Sequence, residues 1–409
     1  MKKESNERYD STILSRDICY TNDSYVTGRN GNNIILGTSG CGKTNLIWQN
    51  LMRIKNQSAI VVDSKGQLYK MLKDNISQQG YAVECINLID PDKSSCGYNP
   101  FEYLTTSDGN ISQINIVKLS QAMIPESLDN REPFWPRGAQ LILSMLISYI
   151  LEFLPDEDHN IPSLIKLYHA FIQSQGTAIA STLYDNPDSF SAQKYAEFRA
   201  TINADKMISS FYGFLNTAIN SLSLPELKPI FCNKHTIDFN NIAHKKTVLF
   251  IVVSDNSSHL DALLNLMYTQ ILQTLIADAD RQTDGRLEVP VTLYLDDFGN
   301  TNIPSFDRII SITRSRDIQI TMLLQSLSQL RSTYSLDGAD TIINNIDTLV
   351  YMGGHDLKTT ELIASLAKKT PETILNMSHK KQYVFLAGQK AILTDKLEPY
   401  TLTESFEIQ

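Results

Sequence analysis

Residues 33–54 read N-I-I-L-G-T-S-G-C-G-K-T-N-L-I-W-Q-N-L-M-R-I. A short, β-branched apolar run, Asn33–Gly37, enters a glycine-rich turn. A helical segment, Asn45–Ile54, leaves it. The turn itself, Gly37-Thr38-Ser39-Gly40-Cys41-Gly42-Lys43-Thr44, satisfies G-x-x-x-x-G-K-[ST] at every position. Glycines let the backbone curl so that successive N–H groups converge on phosphate oxygens, and the helix N-terminus adds partial positive charge. Lys43 is expected at the β- and γ-phosphates and Thr44 at Mg²⁺. The expected ligands are therefore ATP and Mg²⁺.

Working outward, more runs of the same kind follow: Ala59–Asp63, Ala82–Leu88, Thr247–Val253, Val291–Asp296, Ile318–Leu324, Thr348–Met352 and Tyr383–Ala387. Each is short and almost continuously apolar, the pattern of strands buried on both faces. Their alternation with helical segments predicts an α/β fold with a mostly parallel, doubly covered sheet. Between Ile111 and Lys228 no comparable strand occurs. Apolar residues there recur at helical spacing, as in Leu141, Met145, Leu146, Ile150 and Leu151, and Pro125, Pro133, Pro155, Pro162 and Pro187 divide the stretch. This predicts an inserted all-α domain. The expected division is an N-terminal extension (1–25), a nucleotide-binding domain in two parts (26–110 and 229–409) and the insert (111–228).

Two carboxylates end the run L-Y-L-D-D at 293–297. Asp296 is the candidate metal-side acid, and Asp297 the candidate base that orients an attacking water. Gln325, the polar residue that closes Ile318–Leu324, is a candidate γ-phosphate sensor. Arg314 and Arg316 precede that strand and are candidate arginine fingers acting across a subunit boundary.

The chain has 409 residues, 42% apolar and 20% charged, which is ordinary for a globular protein and long enough for two cores. Only Met1–Asp10 reads as disordered. Net charge is −9, and the insert carries eight basic against twelve acidic side chains, a balance of −4. Any contact with nucleic acid must be local, since non-specific duplex binding calls for a basic surface. Five scattered cysteines, none in C-x-x-C, argue against a disulfide framework and for a reducing cytoplasm. The most membrane-like stretch, Leu141–Leu154, is shorter than the roughly 20 residues a span needs and contains Glu152, so a buried helix is expected. Neither a signal peptide nor a transmembrane helix is expected.

Taken in order, several segments resemble those of type IV secretion coupling proteins, the TraG/TraD-like ATPases of conjugation. They are T-G-R-N-G-N-N-I-I-L-G-T-S-G-C-G-K-T, V-V-D-S-K-G-Q-L, I-N-L-I-D-P-D-K-S-S-C-G-Y-N-P-F, F-W-P-R-G-A-Q, L-Y-L-D-D-F-G-N, I-T-R-S-R-D-I, L-L-Q-S-L-S-Q-L and Y-M-G-G. They span Val26 to about Tyr400. The resemblance implies a RecA-like P-loop NTPase domain with an all-α insert, assembled as a hexameric ring. It implies partners too: a relaxase-bound single-stranded DNA or a secreted effector protein, and the components of the secretion channel. The place of action would be the cytoplasmic face of the membrane, reached through partners. A nucleotide-gated docking module without efficient hydrolysis and a general DNA-pumping or helicase ATPase are the alternatives. Three features depart from the family pattern. The usual N-terminal transmembrane helices are not seen. The segment that often reads D-P-K-G-E is Asp63-Ser64-Lys65-Gly66-Gln67, and the usual D-E pair is Asp296-Asp297. The last two bear on the rate of hydrolysis more than on binding.

Overall fold

The computed structural model describes residues 8–106, 108–125, 134–201, 205–254 and 258–402. Pro133 of the sequence reading lies outside them, as do residues 1–7. Contacts divide the chain into two compact units. The first comprises Met1–Asp90, Asp238–Asp255 and Leu275–Gln409. The second comprises Pro91–Ile237 and Asn256–Thr274.

Among the described residues, eleven strands lie in the first unit: β1 (Ser11–Ile13), β2 (Cys19–Thr21), β3 (Asn33–Leu36), β4 (Ser58–Asp63), β5 (Ala82–Asn87), β6 (Thr247–Val252), β7 (Val291–Leu295), β8 (Ile318–Leu324), β9 (Thr348–Tyr351), β10 (Lys381–Leu386) and β11 (Ile392–Asp395). Nine of them form one sheet in the order β11-β10-β9-β3-β8-β7-β4-β6-β5. From β9 to β5 all pairs are parallel; β10 is antiparallel to both β9 and β11. Every residue of β3, β4, β6, β7, β8 and β9 is buried, which is why these strands read as unbroken apolar runs. All eight sequence-predicted strands are present, with ends displaced by at most two residues.

The N-terminal extension is where structure and expectation part. β1 and β2 pair antiparallel, and Ile13, Leu14, Ile18, Cys19 and Tyr20 lie in the same core cluster as the P-loop helix. Nor are residues 8–10 loose. Arg8 and Tyr9 bind the Asp317 carboxylate at 3.4 and 2.9 Å, and Asp10 accepts from the amides of Lys55 and Asn56 at 2.9 and 3.0 Å. Three-residue strands carry too little periodicity to be recognised. β11 is as long as β3 and β9, but only one of its four residues is buried, so it shows no apolar run.

The second unit has no named strand among its described residues. Its long helix Phe134–Phe153 packs against the helices Gln113–Met123, Ile161–Gln173, Phe190–Thr201 and Asp205–Leu222. The polar residues of this apolar helix are all occupied. Gln140 donates to the Ile124 carbonyl at 2.7 Å, and Ser144 bonds Ser120 at 2.9 Å. Glu152 accepts from the amides of Phe190 and Ser191, capping the helix that starts there. No helix among the described residues is long and apolar enough to cross a membrane. The boundaries of the unit are wider than 111–228. The Gly97 amide donates to the His235 carbonyl at 2.7 Å and the Ile237 amide to the Gly97 carbonyl at 2.9 Å, and Gln270 donates to the Pro100 carbonyl at 2.9 Å while accepting from Tyr98. Such pairings hold Pro91–Asn110 and half of the helix Asp261–Arg281 with the helical unit, and no local sequence signal announces them.

All five cysteines are free.

Candidate functional site

The parallel strands β3, β8, β7 and β4 end on one edge of the sheet, so residues far apart in sequence meet there. β3 delivers the glycine-rich turn. Its start continues the ladder on both sides: Gly37 N–H donates to the Leu324 carbonyl at 3.1 Å and Thr38 N–H to the Gly353 carbonyl at 3.2 Å. A side chain at Gly37 would overlap the Cys41 sulfur, while Gly40 and Gly42 hold left-handed φ of 76° and 103°. These constraints explain the three glycines. The helix Lys43–Leu51 begins at Gly42 with no side-chain cap, leaving its first-turn N–H groups without a side-chain acceptor. The Lys43 ammonium folds back over the loop and donates to the carbonyls of Gly37 (2.6 Å) and Thr38 (3.0 Å). Among the described residues no carboxylate is ion-paired with it.

The loop opens on a cavity of about 960 Å³. Ser39 to Thr44, Asp296, Asp297 and Gln325 all line it, so the structure brings together most of the predicted residues. Gly37 and Thr38 sit behind them as acceptors for Lys43. Asp296 follows β7 and accepts from the Ser64 hydroxyl at 3.0 Å and from the Asp297 amide at 3.1 Å. Burial raises its carboxyl above the ordinary range, while Ser64 and the nearby Lys43 charge oppose that rise. Asp297 takes a left-handed conformation (φ 49°, ψ 37°), which Asp tolerates better than most residues. Its carboxylate accepts from Gln325 at 3.4 Å.

Arg314 and Arg316 are not on this cavity. Arg314 is exposed. Arg316 pairs with Asp280 at 2.7 Å and donates to the Ile312 carbonyl at 2.9 Å. Neither reaches the phosphate loop of its own chain.

Other residues at the site carry no sequence motif for this chemistry. Asp63, which opens D-S-K-G-Q, is buried and accepts from the amides of Lys65, Gln67 and Tyr69, so it caps the helix Gln67–Gln78. Ser64 is thereby placed against Asp296. From the other flank comes Lys396, just after β11. It donates to the carbonyls of Cys41 (3.1 Å) and Met352 (2.8 Å), and burial lowers its pKa. Arg16, His379 and Lys380 line the cavity too, together with the acidic Asp395 and Glu398. The departure from D-P-K-G-E was the one visible hint for Ser64. For Lys396 there was none.

A cavity with uncapped helix amides and a cation paired only with neutral carbonyls fits a polyanion, and a carboxylate beside a hydroxyl fits a hard cation. The family model described as type IV secretory system conjugative DNA transfer matches residues 2–370. The chain belongs to this family. The chain is similar to the protein VirD4 of Rhizobium radiobacter, 22% identical over 346 residues, covering 83% of this chain and 48% of that protein. The chain thus spans about half the length of the curated relatives it matches. Among solved structures, the bacterial conjugative coupling protein TrwBdeltaN70 in its unbound form superposes with a TM-score of 0.73 at 14% identity, over 98% of this chain and 90% of that one. The plasmid coupling protein TrwB in complex with ADP and Mg²⁺ gives 0.68 at 15%, over 92% and 87%. The coupling-protein fold is thus established here as RecA-like, with a mostly parallel central sheet and an all-α insert.

Proposed function

We propose that this chain is a coupling-protein-like ATPase that binds ATP·Mg²⁺ at the cavity of Gly37–Thr44 and hydrolyses it to recruit or move relaxase-bound single-stranded DNA toward a secretion channel. The observation that carries the reading is Lys43, a cation held only by neutral carbonyls, on one cavity with Asp296 and Asp297. Loop amides and the Lys43 ammonium would grip the β- and γ-phosphates. The Thr44 hydroxyl and the Asp296 carboxylate would hold the metal, with Ser64 fixing the carboxylate's orientation. Mg²⁺, when bound with the nucleotide, neutralises charge on the transferred phosphoryl group. Asp297 would take the proton of a water that attacks the γ-phosphorus; the bond to the β–γ bridging oxygen breaks, giving ADP and phosphate. Gln325, beside Asp297, would sense the γ-phosphate. Arg314 and Arg316, away from the cavity of their own chain, would serve a neighbouring subunit in a hexameric ring, placed by partners at the cytoplasmic face of the membrane.

Steady-state ATP hydrolysis, with and without single-stranded DNA and at high protein concentration, tests this. The expected result is turnover that DNA stimulates and that Lys43→Ala abolishes. No turnover under any condition would remove the motor.

The second reading is a nucleotide-gated docking module for DNA or an effector protein. Asp297 favours it. An Asp is one methylene shorter than Glu, and about 1 Å of misplacement costs on the order of a hundredfold in rate. Tight ATP binding with negligible turnover would select it.

A further inference from the structure

The cavity extends beyond the phosphate loop. In the sheet, β3 separates β8 and β7 from β9, β10 and β11. Asp296, Asp297 and Gln325 therefore flank the loop on one side, and the residues that follow β11 flank it on the other. If the reading above holds, the first side takes the γ-phosphate. The nucleoside must then leave toward the second. The wall there is Lys396, Leu397, Glu398, Pro399 and Tyr400, followed by Thr401.

This wall is bolted to the phosphate loop's own helix. Asn45 donates to the carbonyls of Leu397 and Glu398 at 3.3 Å each and accepts from the Tyr400 amide at 2.8 Å. One turn on, Gln49 donates to the Thr401 carbonyl at 2.7 Å. Both amides are buried, and each could have been apolar at no cost to the helix. Lys396 adds its bond to the Cys41 carbonyl. Five polar contacts thus fix the segment relative to the loop that would hold the phosphates. Tyr400 itself has φ 50°, a left-handed conformation uncommon for an aromatic residue. Its ring meets Trp48 edge-on at 5.8 Å yet remains 42% exposed on the cavity wall. A rigidly placed, half-open aromatic face at the nucleoside end of a phosphate site matches the π-face of a base.

We propose that Lys396–Tyr400 is the nucleoside subsite, with the Tyr400 ring stacking on the base of a nucleoside triphosphate. This rests on the nucleotide reading above and names its second half. Stacking accepts any base, so selectivity between adenine and guanine is expected to be small.

The test uses calorimetric titration of the full chain with Mg·ATP, Mg·GTP and Mg·tripolyphosphate, the last carrying the phosphates without a nucleoside. Tyr400→Ala should weaken ATP and GTP binding about five- to one-hundred-fold, the span seen when a base-stacking aromatic is truncated. Tyr400→Phe should bind like the parent. Tripolyphosphate affinity should be unchanged in both. Tyr400→Gly, which suits the left-handed backbone, should behave as Tyr400→Ala and excludes a folding artefact. Parent-like ATP binding in Tyr400→Ala and Tyr400→Gly overturns the subsite. So does an equal loss of ATP and tripolyphosphate. Failure of the parent chain to bind either ligand would instead overturn the nucleotide reading on which the subsite depends.

Discussion

Lys43 and Lys396 stand at opposite ends of the sequence and both donate to carbonyls of the same loop. Lys43 has a partner to gain, an anion. Lys396 already uses its bonds to tie the loop to the end of β9. Beside them, Asp297 occupies a left-handed turn that Asn also tolerates. Asp297→Asn should therefore keep the fold and ATP binding while lowering turnover about a hundredfold or more, the usual contribution of a positioned base. Parallel ATP titration and turnover measurements check it; equal losses in both would make Asp297 a structural residue. A second residue sets a pH dependence. His244 is held between Glu288 (2.9 Å) and Asp278 (3.2 Å), and Asp278 also pairs with Arg281. The bond to Glu288, against a smaller opposing effect of burial and with help from Asp278, raises the His244 pKa above 6.5. A raised folded-state value means that the stabilisation is fully present below 6.5 and is lost as pH climbs through the raised value. Thermal melting should therefore show a fall in stability on going from pH 6 upward past neutrality. His244→Gln should flatten that fall; an unchanged profile in the variant would assign it to other groups.

Among the elements, the helix Phe134–Phe153 has the most constrained sequence. Its F-W-P-R-G-A-Q start places Phe134 and Trp135 against Phe211, with ring centroids 5.5 and 6.0 Å away. Gly138 faces the same ring, and a Cβ there would overlap it. Phe211 is 1% exposed and has no room to yield. In an open helix, Gly→Ala stabilises by about 1 kcal/mol. Overpacking a filled contact costs about 1–3 kcal/mol. The second effect should win, so Gly138→Ala is expected to destabilise the helical unit by up to about 2 kcal/mol in denaturant titration. Adding Phe211→Leu should recover part of the loss. A stabilised Gly138→Ala would mean that the contact is loose. β7 and β8 show another kind of constraint, in the turns at their ends. Asp297 and Asp317 both sit in left-handed conformations at strand boundaries, and Asp317 is buried against Arg286 at 2.6 Å.

At the scale of the whole molecule, the phosphate elements and the helical unit are separable in the chain but not at the expected joints. Every candidate phosphate residue belongs to the first unit. Replacing 91–237 by a short flexible linker should therefore preserve nucleotide binding, with affinity within a few-fold of the parent. Cutting at 111–228 instead would strand Asn99, which donates to the His159 carbonyl at 2.9 Å, and the Leu104 carbonyl, which accepts from the Ser112 amide at 2.7 Å. The wider deletion leaves Leu263, Leu266 and Met267, buried residues of the stretch grouped with the helical unit, in need of polar replacements to prevent association. ATP titration on a variant shown to be folded by thermal melting decides the matter. A folded variant without ATP affinity would show that the helical unit builds part of the site.

Features written by short-range chemistry are legible in the chain alone. The loop Gly37–Thr44 is legible because its glycines, lysine and threonine act within eight consecutive residues. The buried strands are legible because two covered faces demand unbroken apolar runs, and the helical unit because its apolar residues recur every three to four positions. Asp296, Asp297 and Gln325 were found because strand ends converge at one edge of a parallel sheet, a rule that needs no coordinates. The rest is set by long-range contacts. The pairing of β1 with β2, the docking of both on the P-loop helix and the wider limits of the helical unit all depend on contacts between residues remote in sequence. So do Ser64 against Asp296, Lys396 on the Cys41 carbonyl and Tyr400 on the cavity wall. Lys396 follows β11, which reaches the site only because β9, β10 and β11 extend the sheet past β3 by two antiparallel pairings. Strand order and register are long-range choices, and a lone lysine or tyrosine in a polar stretch carries no local mark of where they will bring it.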